Sequence, residues 1–232
     1  MQSTPAFLVA FFIHLLATTS IDDYITAVGG LEKWRSIQNI SIAAEVNYYS
    51  KAYAADGIQL KPEKAWTNKL ILADGRYFSE NVTLEGGKRK LLYDGTTMKL
   101  ISPDGFIYEE TAEVVEQYKK REIHLGEAWI AANADEVKFL GEESDGKNEF
   151  LVFRVSRLDF DRNYYILKGS NRLFKVTLFN GMTQAFYEDY RDVDGYIIPF
   201  KITGYVNGKL EHETLVKEVK INTDVPPTLF KK

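Results

Sequence analysis

The chain has 232 residues, 45% hydrophobic and 27% charged, which suits one good-sized globular core or two small ones. A formal net charge of −4 argues against a general electrostatic attraction to nucleic acid. With no cysteine, the chain cannot form disulfides, use a catalytic thiol, build a cysteine-based metal site or carry a lipid on a thiol.

Residues 6–17, AFLVAFFIHLLA, are apolar apart from His14. The run is shorter than the ~20 residues of a bilayer span but suits the core of a secretory signal. Cleavage is then expected near Thr19 or Ser20, although no Lys or Arg precedes the run and no Ala-x-Ala follows it. The alternative is a buried N-terminal helix. No later segment is apolar and long enough to cross a membrane as a helix.

SIDDYITAVGGLEKWRSI comes next. Ser20 is the expected cap of a first helix, Asp23 stands three residues on, and acidic groups suit the first turn. Gly29-Gly30 interrupts that helix, and Leu31, Trp34 and Ile37 continue an apolar stripe at helical spacing. From Ile40 the period changes to two, with Ile40, Ile42, Ala44, Val46 and Tyr48 on one face. The pattern recurs through AWTNKLIL, RYFSENVTL, KLLYDGTTMKLI and GFIYEE.

Residues 111–133 interrupt the strands. Val114, Tyr118, Leu125 and Trp129 share one helical face, Thr111 is the expected cap, and Gly126 is expected to break or bend the helix. Strand-like runs resume at Glu136 and continue to Ile221. Six Asp-Gly pairs, at Asp56, Asp74, Asp94, Asp104, Asp145 and Asp194, punctuate the chain, with Asn180-Gly181 and Asn207-Gly208 as further turns. Such turns between strands predict an antiparallel meander. The 14 Phe, 14 Tyr and 3 Trp fit a strand-rich protein.

About eleven strands with little helix lie near the ~10-strand limit beyond which open sheets curl. The expected fold is therefore mainly β (α+β): a single curved antiparallel sheet forming a half-barrel, closed by an N-terminal helix pair and one mid-chain helix. The second apolar face of strands such as YIIPFKI (196–202) would line an interior that two short helical segments do not fill. No linker divides residues 21–232, so one domain is expected.

Signatures of catalysis are sparse. His124 and His212 are far apart, and Glu211 and Glu213 flank His212 but point to the opposite face of a strand. No metal or other cofactor is implied. GEESDGKN (141–148) nearly matches a phosphate loop, but its acidic residues and the strand that follows mark a hairpin turn. Asp159 and Asp161 are flanked by Arg157 and Arg162, as in a turn of paired surface charges. There is no Gly-x-Ser-x-Gly elbow.

YITAVGGLEKWRSIQNISIAAEV (24–46) resembles the opening of the LolA-like outer-membrane lipoprotein-sorting proteins: a helix, a Gly-Gly pair, a short helix, then the first strand. YRDVDGYIIPFKITGYVNGKLEHETLVKEVKINTDVPPTLF (190–230) resembles their closing hairpins. The resemblance implies a half-barrel whose apolar cavity holds the acyl chains of a lipoprotein in the periplasm. Membrane-anchored relatives carry a lipidated cysteine that this chain lacks, which implies a soluble carrier. Carrier, lipid sensor and peptide-binding regulator share the fold.

The alternation proposes Val46, Tyr48, Trp66, Leu70, Phe78, Val82, Phe153, Phe174, Leu178 and Phe200 as cavity residues, with Trp129 from the helix. Residues 111–130 would act as a lid through Val114, Tyr118, Leu125 and Trp129. The expected partner is a lipid or lipoprotein acyl chain, bound by a monomer without catalysis. The alternatives are an envelope sensor, regulator or scaffold that binds a protein partner through the curved sheet, and a hydrolase with a convergent site in the pocket.

Overall fold

The computed structural model of the chain describes residues 20–49, 62–83 and 87–230. The expected signal up to Thr19, with His14, and the Asp56-Gly57 turn lie outside these residues.

The N-terminal part forms two short helices, α1 (Asp22–Ala27) and α2 (Leu31–Ser36). Six strands follow: β1 (Asn39–Tyr48), β2 (Glu63–Leu72), β3 (Tyr77–Thr83), β4 (Lys88–Tyr93), β5 (Met98–Ile101) and β6 (Ile107–Glu109). Helices α3 (Ala112–Arg121) and α4 (Glu127–Ala132) separate them from β7 (Glu136–Ser144), β8 (Glu149–Arg157), β9 (Phe160–Leu167) and β10 (Leu173–Leu178). The chain continues through β11 (Thr183–Val193), β12 (Tyr196–Val206) and β13 (Lys209–Ile221).

All thirteen strands belong to one antiparallel sheet, in the order β6-β5-β4-β3-β2-β1-β13-β12-β11-β10-β9-β8-β7. Two sequential meanders are thus zipped together by β1 and β13, with Ile40 opposite Ile221 and Val46 opposite Thr214. The sheet does not close, since β6 and β7 are its two edges. The chain must cross from one edge to the other between them, and α3 and α4 make that crossing. The expected single mid-chain helix is two helices. Gly126, at φ 112° and ψ 167°, starts α4 in a conformation that only glycine adopts easily.

One of the strands beyond the expected eleven arises because KLLYDGTTMKLI is two strands. Asp94 and Gly95 turn the chain between β4 and β5, and Tyr93 pairs with Met98 across the turn. At the β11–β12 turn both Asp194 (φ 52°) and Gly195 (φ 77°) have positive φ, as a type I′ hairpin requires. Thr111 caps α3 through a bond from the Val114 N–H. Ser20 falls one residue short of the α1 cap position, and its hydroxyl accepts the Asp22 N–H instead.

The two quoted motifs meet in space. The Asp194-Gly195 turn lies against the α1–α2 corner, where Lys33 Nζ donates to the Asp194 carbonyl and the Ile197 N–H to the Val28 carbonyl. Trp34 packs edge-on against Tyr196 at 5.1 Å between ring centres. A Cβ on Gly29 would stand 2.9 Å from the Gly195 carbonyl oxygen, so the close approach depends on that residue being glycine. Beneath the corner one core cluster joins α1, α2 and α4 to the sheet through Ile25, Trp34, Ile130, Phe153 and Tyr164, each nearly or wholly inaccessible.

Candidate functional site

A cavity of about 880 Å³ lies between the sheet and the α3–α4 crossing. Strands from both halves of the sheet wall it, so the sheet curves around it. Its size falls in the range of sites for small organic ligands.

The two ends of the cavity differ in chemistry. One is apolar, built from Ile40, Ile42 and Ala44 on β1, Ile198 and Ile202 on β12, and Val216 and Val219 on β13. The other is polar. Thr67 and Lys69 on β2, Ser79 and Asn81 on β3 and Arg89 on β4 face it from the sheet, while Gln117, Tyr118, Arg121 and Glu122 face it from α3 and the turn after it. The register makes this continuous, because Thr67 pairs with Asn81, Lys69 with Ser79 and Asn81 with Arg89.

Lys69 is the central charge of the polar end. Burial would lower its pKa, but Tyr77, Glu122, Tyr48 and Tyr118 around it outweigh that and hold it above the ordinary lysine value. It therefore stays protonated at neutral pH. His124 and His212 also reach the cavity. Burial lowers both, so both are neutral at pH 7, and His124 Nδ1 accepts the Gly126 N–H at 3.2 Å. Among the described residues no group of three His, Asp or Glu side chains is placed to hold a metal ion.

A second polar cluster fixes the crossing from below. The Glu127 carboxylate, at the start of α4, accepts bonds from the hydroxyls of Tyr164 (2.5 Å) and Tyr187 (3.1 Å). Arg162 Nε lies 3.9 Å from the same carboxylate, and its Nη2 donates to the Lys120 carbonyl at 2.7 Å. Burial and then the Glu127 charge push both tyrosines well above the ordinary phenol range, so they remain donors.

Of the residues proposed from the alternation, the structure brings Val46, Tyr48, Tyr118 and Leu125 to the cavity wall. The others lie elsewhere. Trp66, Leu70, Phe78 and Val82 alternate with cavity-facing Thr67, Lys69, Tyr77, Ser79 and Asn81, so they point to the outer face of the sheet. Trp66 is 47% exposed there. Phe174 is also outside, in a run of ring contacts with Phe150 and Phe186 that continues to Tyr205. Phe153 belongs to a separate recess of about 350 Å³ beside α1, α4 and β7. Leu178 packs against the core and Phe200 lies under the Arg191 guanidinium, neither as part of the cavity wall. Trp129 is held in the core beneath Arg157, and on α3 the buried valine is Val115, with Val114 half-buried.

The polar residues of β2–β4 were missed because apolar residues were assigned to the inside. The Asp74-Gly75 turn did carry a signal, since from Trp66 to Ile71 it pairs polar with polar and apolar with apolar across β2 and β3. It does not say which set faces inward. GEESDGKN is the β7–β8 turn, where Asp145 accepts the N–H groups of Lys147 and Asn148.

An open antiparallel sheet wrapped around a cavity, with helices against it, has room for a small organic molecule. No family model matches the chain, and no curated protein matches it in sequence. Solved structures match it in shape. A LolA superfamily protein from Nitrosomonas europaea is 11% identical with a TM-score of 0.60, over 91% of this chain and 96% of that one. A domain assigned to outer membrane lipoprotein sorting from Vibrio parahaemolyticus is 10% identical with a TM-score of 0.58, over 90% and 93%. A DUF1329 family protein from Desulfovibrio piger gives 10% identity and a TM-score of 0.57, over 91% and 95%. The chain has a LolA-like fold.

Proposed function

We propose that the chain is a carrier of acyl chains in the cell envelope, binding a lipid or the acyl chains of a lipoprotein in its cavity without catalysing a reaction. The observation that carries this reading is the 880 Å³ cavity with its apolar end on β1, β12 and β13. Burying acyl chain contributes ~0.8 kcal/mol per CH₂, so a chain of about 14 carbons would gain on the order of 10 kcal/mol before the costs of association. A periplasmic location and a cleaved signal before Ile21 belong to the same proposal.

The test is to purify the protein from cells, extract it with organic solvent and identify lipids by mass spectrometry, beside two variants. Ala185→Trp fills the cavity from β11 and should remove co-purified lipid, while Phe174→Glu on the outer face should leave it. Folded wild-type protein that repeatedly carries no lipid, or an Ala185→Trp variant that carries as much as wild type, would sink the reading.

One observation favours a second reading, an envelope sensor, regulator or scaffold that binds a protein. Edge strand β7 leaves Val137, Phe139 and Leu140 each about two-fifths exposed, at 38–41%, beside unpaired backbone groups. A protein partner captured by wild type and lost on Phe139→Lys, with lipid content unchanged, would support it.

A further inference from the structure

This inference rests on the carrier reading and concerns the kind of molecule carried. We infer that the cavity takes an amphiphile with an anionic head group, which pairs with Lys69 while the hydrocarbon tail lies along β1, β12 and β13.

The Lys69 side chain is half-buried and lines the cavity. Among the described residues it makes no hydrogen bond and has no carboxylate within ion-pair distance. Its strand neighbour Lys64, whose side chain lies on the outer face, pairs with Glu45, and Lys90 on β4 pairs with Glu80. Of these three lysines, the one that faces inward has no ion pair. A charge taken out of water is costly unless it is paired and hydrogen-bonded.

Its surroundings fit a small anion. Tyr48, Tyr77 and Tyr118 lie around the ammonium, and their hydroxyls can donate to a carboxylate or phosphate. Two residues earlier on the same face of β2, the Thr67 hydroxyl is buried with no hydrogen-bond partner. Three cations, Lys69, Arg89 and Arg121 (its guanidinium also over the Phe179 ring), and three carboxylates, Glu110, Glu122 and Glu127, line the cavity. Glu127 is already engaged with Tyr164, Tyr187 and Arg162, so it does not serve as the counter-charge of Lys69. The apolar end begins on the next strand, β1, so one molecule can satisfy both.

The experiment measures displacement of a fluorescent apolar probe, N-phenyl-1-naphthylamine, by three ligands of equal chain length: hexadecanoate, hexadecyl phosphate and hexadecanol. A charge-assisted bond to Lys69 predicts that wild type binds the anions at least about tenfold more tightly than the alcohol. Lys69→Met should remove that preference and leave the alcohol unchanged, while Lys69→Arg should retain it. The stronger of the two anions distinguishes a carboxylate head from a phosphate. If all three ligands bind equally to wild type, or Lys69→Met weakens all three alike, the head-group assignment is wrong and the carrier reading stands. If neither the probe nor any ligand binds folded protein, the carrier reading fails and takes this inference with it.

Discussion

Glu127 and Arg162 tie the helical crossing to the sheet, and separating their contributions tests the structure at its hinge. Arg162 is 3% exposed and Glu127 14%, so solvent screens the pair little. Breaking a buried pair on one side costs about 3–5 kcal/mol, because the remaining charge stays buried. Arg162→Met should fall at the low end: the 3.9 Å separation is long, and two tyrosine hydroxyls still solvate the carboxylate. Losing the donor to the Lys120 carbonyl adds about 1 kcal/mol. Glu127→Gln keeps an acceptor for the tyrosines but leaves Arg162 without its counter-charge. In the double variant no charge remains unpaired, so it should be more stable than the sum of the single losses by about 1–3 kcal/mol. Urea unfolding of all four proteins, at one pH and with equal m-values, measures this coupling. Losses that add within about 0.5 kcal/mol would show that the two side chains do not act as a pair.

Three other expectations follow from geometry. Gly29→Ala places a methyl group against the Gly195 carbonyl at φ 131°, so it should cost about 1–3 kcal/mol in thermal unfolding; a near-neutral result would mean that the Asp194-Gly195 turn shifts freely. As the proposed lid, α3 has one buried residue, Val115, whereas five of the six residues of α4 are buried, so amides of α3 should exchange faster and gain protection when hexadecanoate is added. Equal exchange in both helices, unchanged by ligand, would remove the lid. His124 and His212 have lowered folded-state pKa values, so the unfolded chain binds more protons once pH falls below about 6.5. Stability should therefore drop between pH 7 and pH 5, with carboxylates nearby (Glu122 for both, Glu127 for His124 and Glu211 for His212) moderating the loss. His124→Asn and His212→Asn should each flatten the decline in urea midpoint, and an unaltered slope in both would exclude them as its source.

Several turns and the start of α3 were readable in the sequence because their chemistry is local. The paired positive φ values at Asp194-Gly195 and the Thr111 cap needed only neighbouring residues. The orientation of the strands is a tertiary property and was not readable in the same way. On β2 and β3 the large apolar residues Trp66, Leu70, Phe78 and Val82 point outward, and Thr67, Lys69, Ser79 and Asn81 point inward. A rule that sends apolar residues inside inverts the register wherever the inside is polar. Part of this cavity is polar. On β1 both criteria agree, and Val46 and Tyr48 reach the cavity wall.

The strand order also constrains how the molecule assembles. Within each half, strands that follow one another in sequence are neighbours in space, so each meander forms over short chain separations. The seam between β1 and β13 joins Ile40 to Ile221 and must wait for the last strand to be made. Until then β1 presents an unpaired edge, and the apolar end of the cavity lacks one of its walls. A chain interrupted before Lys209 is thus an open, adhesive sheet during synthesis, and pulsed hydrogen exchange should find β13 among the last strands to acquire protection.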